Sequence, residues 1–127
     1  MSNPILISNS FPFSLIRRRV IVEPRGVSDL LTAMHERPWV SAWGHANTVA
    51  LASTITCADL RPKTERPALK LSDDKLPSLD GQTFTECWLL SPDYQPGFRP
   101  AVGEEVSADK IRDKQVLRLT WQTDSNQ

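Results

Sequence analysis

Val40-Ser41-Ala42-Trp43-Gly44-His45-Ala46-Asn47-Thr48 is the stretch that decides how this chain is organised. An apolar, β-prone run reaches Trp43, stops at Gly44 and presents one histidine. From about Val49 the pattern turns helical, with Ala52 and Ile55 on one stripe and Leu51 alongside. The order strand, Gly-His, helix sets an ionisable ring beside backbone amides at a helix N-terminus. Those amides, with the positive end of the helix dipole, form a receptor for phosphate. Function is expected at this junction, where a phosphate seat adjoins a group that titrates near neutrality.

Upstream, Ile5-Leu6-Ile7 reads as a short buried strand, followed by a polar-aromatic loop from Asn9 to Ser14. Val20-Ile21-Val22 reads as a second strand, entered from Arg17-Arg18-Arg19. Val27, Leu30, Leu31 and Met34 recur at helical spacing, with Ser28 as candidate cap and Pro38 just past the end. Trp39 to Trp43 supplies a third strand leading into the junction.

Downstream, 61–67 reads as an ordered loop, 68–71 as a short strand and 72–81 as a turn-rich connection. Thr83 to Leu90 carries the strongest strand pattern, with Phe84 and Trp88 as landmarks. Pro92 to Pro100 reads as a proline-rich loop holding Asp93, Tyr94, Gln95 and Arg99. Ser107 is expected to cap a short helix to about Asp113, and Leu117, Leu119 and Trp121 alternate along a last strand over 115–121. The expected fold is α/β: one small domain over 1–121, a mixed sheet of about five or six strands with helices packed on it. Residues 122–127 read as a flexible tail.

Lys plus Arg and Asp plus Glu are balanced at 15 each over 127 residues, so no global field draws in polyanions. A local patch has to carry any nucleotide, and a general coat for long nucleic acid is excluded. A hydrophobic content of 39% with four Trp and four Phe fits a folded globule. No apolar run approaches the roughly 18 residues of a membrane span, and no signal peptide is visible at the start. A cytoplasmic protein without membrane partners is expected. Cys57 and Cys87 sit far apart beside apolar residues and read as reduced core thiols; nothing has zinc-ligand spacing. No G-x-S-x-G elbow, Walker pattern or dinucleotide fingerprint is present.

Several of these residues suggest a family. Ile5-Leu6-Ile7-Ser8-Asn9-Ser10-Phe11 resembles the opening strand and Asn-x-Phe loop of the viral anti-CRISPR ring nucleases and their bacterial relatives. The nine residues from Val40 to Thr48 are similar to that family's Ser-Ala-x-Gly-His-x-x-Thr signature. Glu65-Arg66 before an apolar strand resembles its Asn-Arg element, and Gly97 followed by a terminal strand keeps its order.

The resemblance implies a homodimer that binds a cyclic oligoadenylate across its two-fold axis. It implies cleavage of cyclic tetra-adenylate to linear di-adenylates with no metal or other cofactor, which switches off type III CRISPR signalling. The implied chemistry is in-line attack of a ribose 2′-hydroxyl on the adjacent phosphate. His45 then matches the catalytic histidine, a general acid for the departing 5′-oxygen. Gly44 allows close backbone approach, and the amides of Ala46, Asn47 and Thr48 bind phosphate. Asn9 with Ser10 or Ser14 orients ribose and phosphate, and Arg66 clamps a phosphate.

One stretch departs from the family. An Arg and a Glu are expected just before Gly97, where this chain has Pro92-Asp93-Tyr94-Gln95-Pro96. Arg99 is the cation that can reach back as the catalytic arginine. The departure leaves open a nucleotide-binding sponge or sensor that does not cleave, and a dimeric protein-interaction module. Read on their own, Trp39 and Trp43 are core residues, and Tyr94 is the adenine-stacking candidate. His35 reads as a favourable helix C-terminal charge, and Arg17 to Arg19 as a solvated strand edge or a polyphosphate-facing patch.

Overall fold

A computed structural model describes residues 4–43, 46–61, 69–99 and 108–122. In chain order the elements are β1 (Ile5–Ser8), a 3-10 turn (Phe13–Leu15), β2 (Val20–Arg25), α1 (Val27–Glu36), β3 (Trp39–Ser41) and α2 (Ala46–Thr56). There follow β4 (Lys70–Leu71), β5 (Pro77–Leu79), β6 (Gln82–Thr83), β7 (Glu86–Tyr94), a 3-10 turn (Ala108–Lys110) and β8 (Ile111–Trp121). A five-stranded sheet has the order β2-β8-β7-β1-β3, and a three-stranded sheet the order β4-β5-β6.

β1 is parallel to β3 and β7, whereas β8 is antiparallel to β7 and β2. β2, β7, β1 and β3 therefore run one way, with β8 against them. Ile5, Leu6 and Ile7 are all fully buried. That explains the unbroken apolar run, since a central strand covered on both faces needs no alternation. On one face Ile5, Ile7, Trp88, Leu90 and Val116 pack with Leu30 of α1, Ala52 of α2 and Trp43. On the other, Leu6, Cys87, Leu89, Leu119 and Trp121 pack against Phe11, Leu76, Leu79 and Phe84. Trp39 packs at the margin of the helix-side layer that holds Trp43, as expected of core residues.

Several local expectations are corrected. α1 is capped by Gly26, whose amide donates to Asp29 Oδ2 at 3.0 Å, so Ser28 lies inside the helix. α2 starts at Ala46, three residues before the apolar stripe begins. It ends as Cys57 takes a φ of 55°, the left-handed turn that stops a helix. Cys57 is exposed rather than a core thiol; Cys87 is buried, and burial pushes its thiol far above the ordinary range.

The largest correction lies late in the chain. Residues 111–113, expected in a helix, are strand, and β8 runs for 11 residues. Its partner β7 extends through Tyr94, so Pro92, Asp93 and Tyr94 are in a β-ribbon rather than a loop. Pro92 is tolerated because of register. The amide of Trp121 donates to Thr85 O, so odd-numbered residues from Thr85 onward bond to β8. Pro92 thus turns its missing N–H toward the β1 side, beyond the last β1–β7 pair at Ser8–Leu89. No helix among the described residues is long and apolar enough to cross a membrane.

Candidate functional site

The parallel strands β7, β1 and β3 all end at one edge of the sheet, the edge where open α/β sheets bind ligands. β3 stops at Ser41 on that edge and α2 begins at Ala46. The sequence order strand, Gly-His, helix is therefore realised in the flanking elements. Gly44 and His45 themselves lie outside the described residues, as does Arg66.

The residues leading into the junction are held by hydrogen bonds as well as by packing. The amide of Ala42 donates to Ile7 O at 2.8 Å, and Ser8 Oγ donates to Ala42 O at 3.1 Å. Ser41 Oγ donates to Leu60 O and accepts the Trp43 amide at 3.2 Å. One hydroxyl thus satisfies two buried main-chain groups and fixes where the chain leaves β3. Trp43 Nε1 donates to Thr48 Oγ1 at 3.2 Å, which ties the strand exit to the first turn of α2.

Thr48 is 1% exposed. Its hydroxyl is thus part of this internal tie, and what it can offer a ligand is main chain. The Asn47 amide belongs to the same first turn.

Asn9 sits just past β1 at the same edge, and its carbonyl accepts from Ser91 Oγ at 2.8 Å. Ser10 is exposed next to it. Ser14 is exposed in the 3-10 turn that leads to β2, which starts at the opposite edge; its carbonyl accepts from Arg17 Nε at 3.2 Å. Asn9 and Ser10 therefore share the edge of the junction more closely than Ser14 does.

The β7–β8 ribbon rises past this edge. Tyr94 is on its β7 strand. Arg99 is exposed in the connection beyond, and Gly97 there takes a φ of 83°, a left-handed conformation open to glycine. The ribbon also holds a cation that the sequence reading passed over. Asp93 pairs with Asp113 and Tyr94 with Ile111, so Arg112 is the extra residue of a β-bulge. Its Nε lies 3.2 Å and its Nη2 2.5 Å from Asp93 Oδ2. Hydrogen bonding to Asp93 and then the Asp93 charge hold the guanidinium above its ordinary range against a smaller burial effect, with the Asp113 charge adding least. Only strand register makes this pair, and a single sequence does not reveal register.

At the opposite edge a second charge cluster forms around Glu86, which is 6% exposed. Arg37 Nη1 donates to its Oε1 at 2.6 Å, Arg118 Nε to Oε2 at 3.1 Å, and Trp88 Nε1 to Oε2 at 2.7 Å. Arg118 also approaches Glu23 at 3.7 Å, while its guanidinium lies 5.9 Å from the Trp88 ring centroid. Both carboxylate oxygens of Glu86 thus accept from charged or ring donors, which is the mark of a structural network.

Arg17, Arg18 and Arg19 lie on the approach to β2, and Arg18 Nη1 donates to Asp74 O at 2.9 Å, tying this edge to the small sheet.

No protein-family model matches the chain, and no curated protein does. Among solved structures the chain is similar in fold to B116 of Sulfolobus turreted icosahedral virus, at a TM-score of 0.58 and 14% identity over 94% of this chain and all of that one. What the two share is the fold of a viral protein.

Proposed function

We propose that this chain binds a cyclic oligoadenylate, cyclic tetra-adenylate first among them, at the C-terminal edge of its parallel strands. In this reading the 2′-hydroxyl attacks the adjacent phosphate in line and gives up its proton to water, while His45 donates a proton to the departing 5′-oxygen, leaving a 2′,3′-cyclic phosphate and a free 5′-hydroxyl. The first-turn amides of α2 hold the phosphate oxygens, and Asn9 with Ser10 orients the ribose. Two copies share one ring, and no metal takes part.

The observation that carries the reading is the join between β3 and α2. A parallel strand ends and a helix starts around the Gly-His pair, on the edge where α/β sheets receive ligands. The bonds of Ser41 and Thr48 tie the end of β3 to the first turn of α2. A viral protein of the same fold is in keeping with the viral side of the resemblance.

The test is incubation of the pure protein with cyclic tetra-adenylate in excess EDTA, read by mass spectrometry. Linear products from the wild type and an intact ring from His45→Ala are expected. Full activity in His45→Ala would remove the histidine from the chemistry. A ring that is bound tightly yet recovered whole would select the sponge reading, which the acidic Asp93 in place of a cation favours.

A further inference from the structure

We infer that the Arg112 bulge is a phosphate subsite gated by Asp93, a second anchor for the phosphodiester ligand of the proposed function and resting on that reading. A bulge adds one residue to a strand and re-aims its side chain, and Arg112 is that residue. The ribbon is tied to β1 where Ser91 Oγ meets Asn9 O. Asp93 stands two residues further along, about 7 Å past that contact at the rise of an extended strand. It faces an open basin of about 510 Å³ lined also by Arg25, Lys114, Asp113 and Pro24. Arg25 and Lys114 bring two cations, and Asp93 and Asp113 two carboxylates, to a concave surface beside the ligand-receiving edge, and Arg112 adjoins it through its bond to Asp93.

The ion pair is built to exchange. Both guanidinium bonds end on one oxygen, Oδ2, so the two-oxygen fork that an arginine makes with its best partners is absent. The side chains are 59% and 49% exposed, and such pairs contribute little in water. Asp93 also lies directly across the ladder from Asp113, a like-charge pairing that opposes strand association. A phosphate offers Arg112 more oxygens and more charge than this carboxylate does. Asp93 holds the guanidinium in place while the basin is empty and competes with the ligand when it arrives. The Asp93–Arg112 pair lies two to three strands from β3, about 10–14 Å at the spacing of a sheet. A ligand with several phosphates can reach both places, and a mononucleotide cannot.

Inorganic pyrophosphate is the first probe, titrated into the full chain while the Arg112 Nε–H resonance is followed by NMR. Cyclic tetra-adenylate is the second, titrated by calorimetry. Asp93→Asn should bind both about two- to fivefold more tightly, since the competing charge is gone. Arg112→Ala should weaken both about tenfold or more, with Arg112→Lys between it and wild type. An Arg112 resonance unmoved at saturating pyrophosphate, or equal affinities in all four proteins, overturns the subsite. If pyrophosphate follows the expected order and cyclic tetra-adenylate does not bind, the subsite stands and the cyclic-nucleotide reading falls. If the ring binds equally to every variant, the reverse holds; if neither probe binds, both fall.

Discussion

Replacing Glu86 by alanine should destabilise the fold by about 2–3 kcal/mol. The carboxylate accepts from Arg37 at 2.6 Å, from Arg118 at 3.1 and 3.2 Å and from Trp88 at 2.7 Å. Removing one partner of a buried ion pair costs about 3–5 kcal/mol, because the other charge is left without compensation. The two guanidiniums are 24% and 32% exposed, so water recovers part of that cost. At about 4 °C per kcal/mol for a domain of this size, the thermal midpoint should fall by about 8–12 °C. Glu86→Gln keeps an acceptor for the indole and should lose about half as much.

The same site sets an acid limit. Burial pushes the Glu86 carboxyl up, but hydrogen bonds from Arg118, Arg37 and Trp88 outweigh it and leave it below its ordinary 4.5. A depressed carboxyl contributes stability that is whole above the unfolded value and lost as pH falls through the folded one. The gap between wild type and Glu86→Ala should thus be constant from pH 7 to about 5.5 and close below 4.5. Circular dichroism melts across that range provide the assay. A midpoint change under about 2 °C at pH 7, or a gap just as wide at about pH 3, would mean that the ionised Glu86 network does not stabilise the fold.

Other residues give sharper local tests. Ser41→Ala removes the acceptor for the Trp43 amide and the donor to the Leu60 carbonyl at a buried position, so denaturant titration should show a loss of about 1–3 kcal/mol. Equal midpoints for Ser41→Ala and wild type would mean that the hydroxyl does not fix the strand exit. A thiol reagent should label Cys57 in the native protein and Cys87 only on unfolding, because Cys57 is exposed and Cys87 is buried with its thiol pushed up. Rapid labelling of both native thiols would contradict that packing.

The sequence carries the core of this fold and conceals its periphery. Ile5-Leu6-Ile7, the stripe of α1 and the alternation of Leu117, Leu119 and Trp121 are strong periodic signals, and each marks an element. β4, β5 and β6 are two to three residues each, too short for any period to register. The ribbon was hidden for another reason. Pro92, Asp93 and Tyr94 read as a loop, and only pairing with β8 makes them a strand. The site divides along the same line. The β3–α2 join is local in sequence and legible there, while the Asp93–Arg112 pair joins residues 19 apart through a bulge.

The proposed function requires that the edge around the β3–α2 join receive a cyclic oligoadenylate. Calorimetric titration of the wild-type protein with cyclic tetra-adenylate measures this most directly. Saturable binding at one ring per two chains is expected, weakened by substitution of Asn9 and by Arg112→Ala. Absence of binding heat with cyclic tetra-adenylate and with rings of other sizes would contradict it.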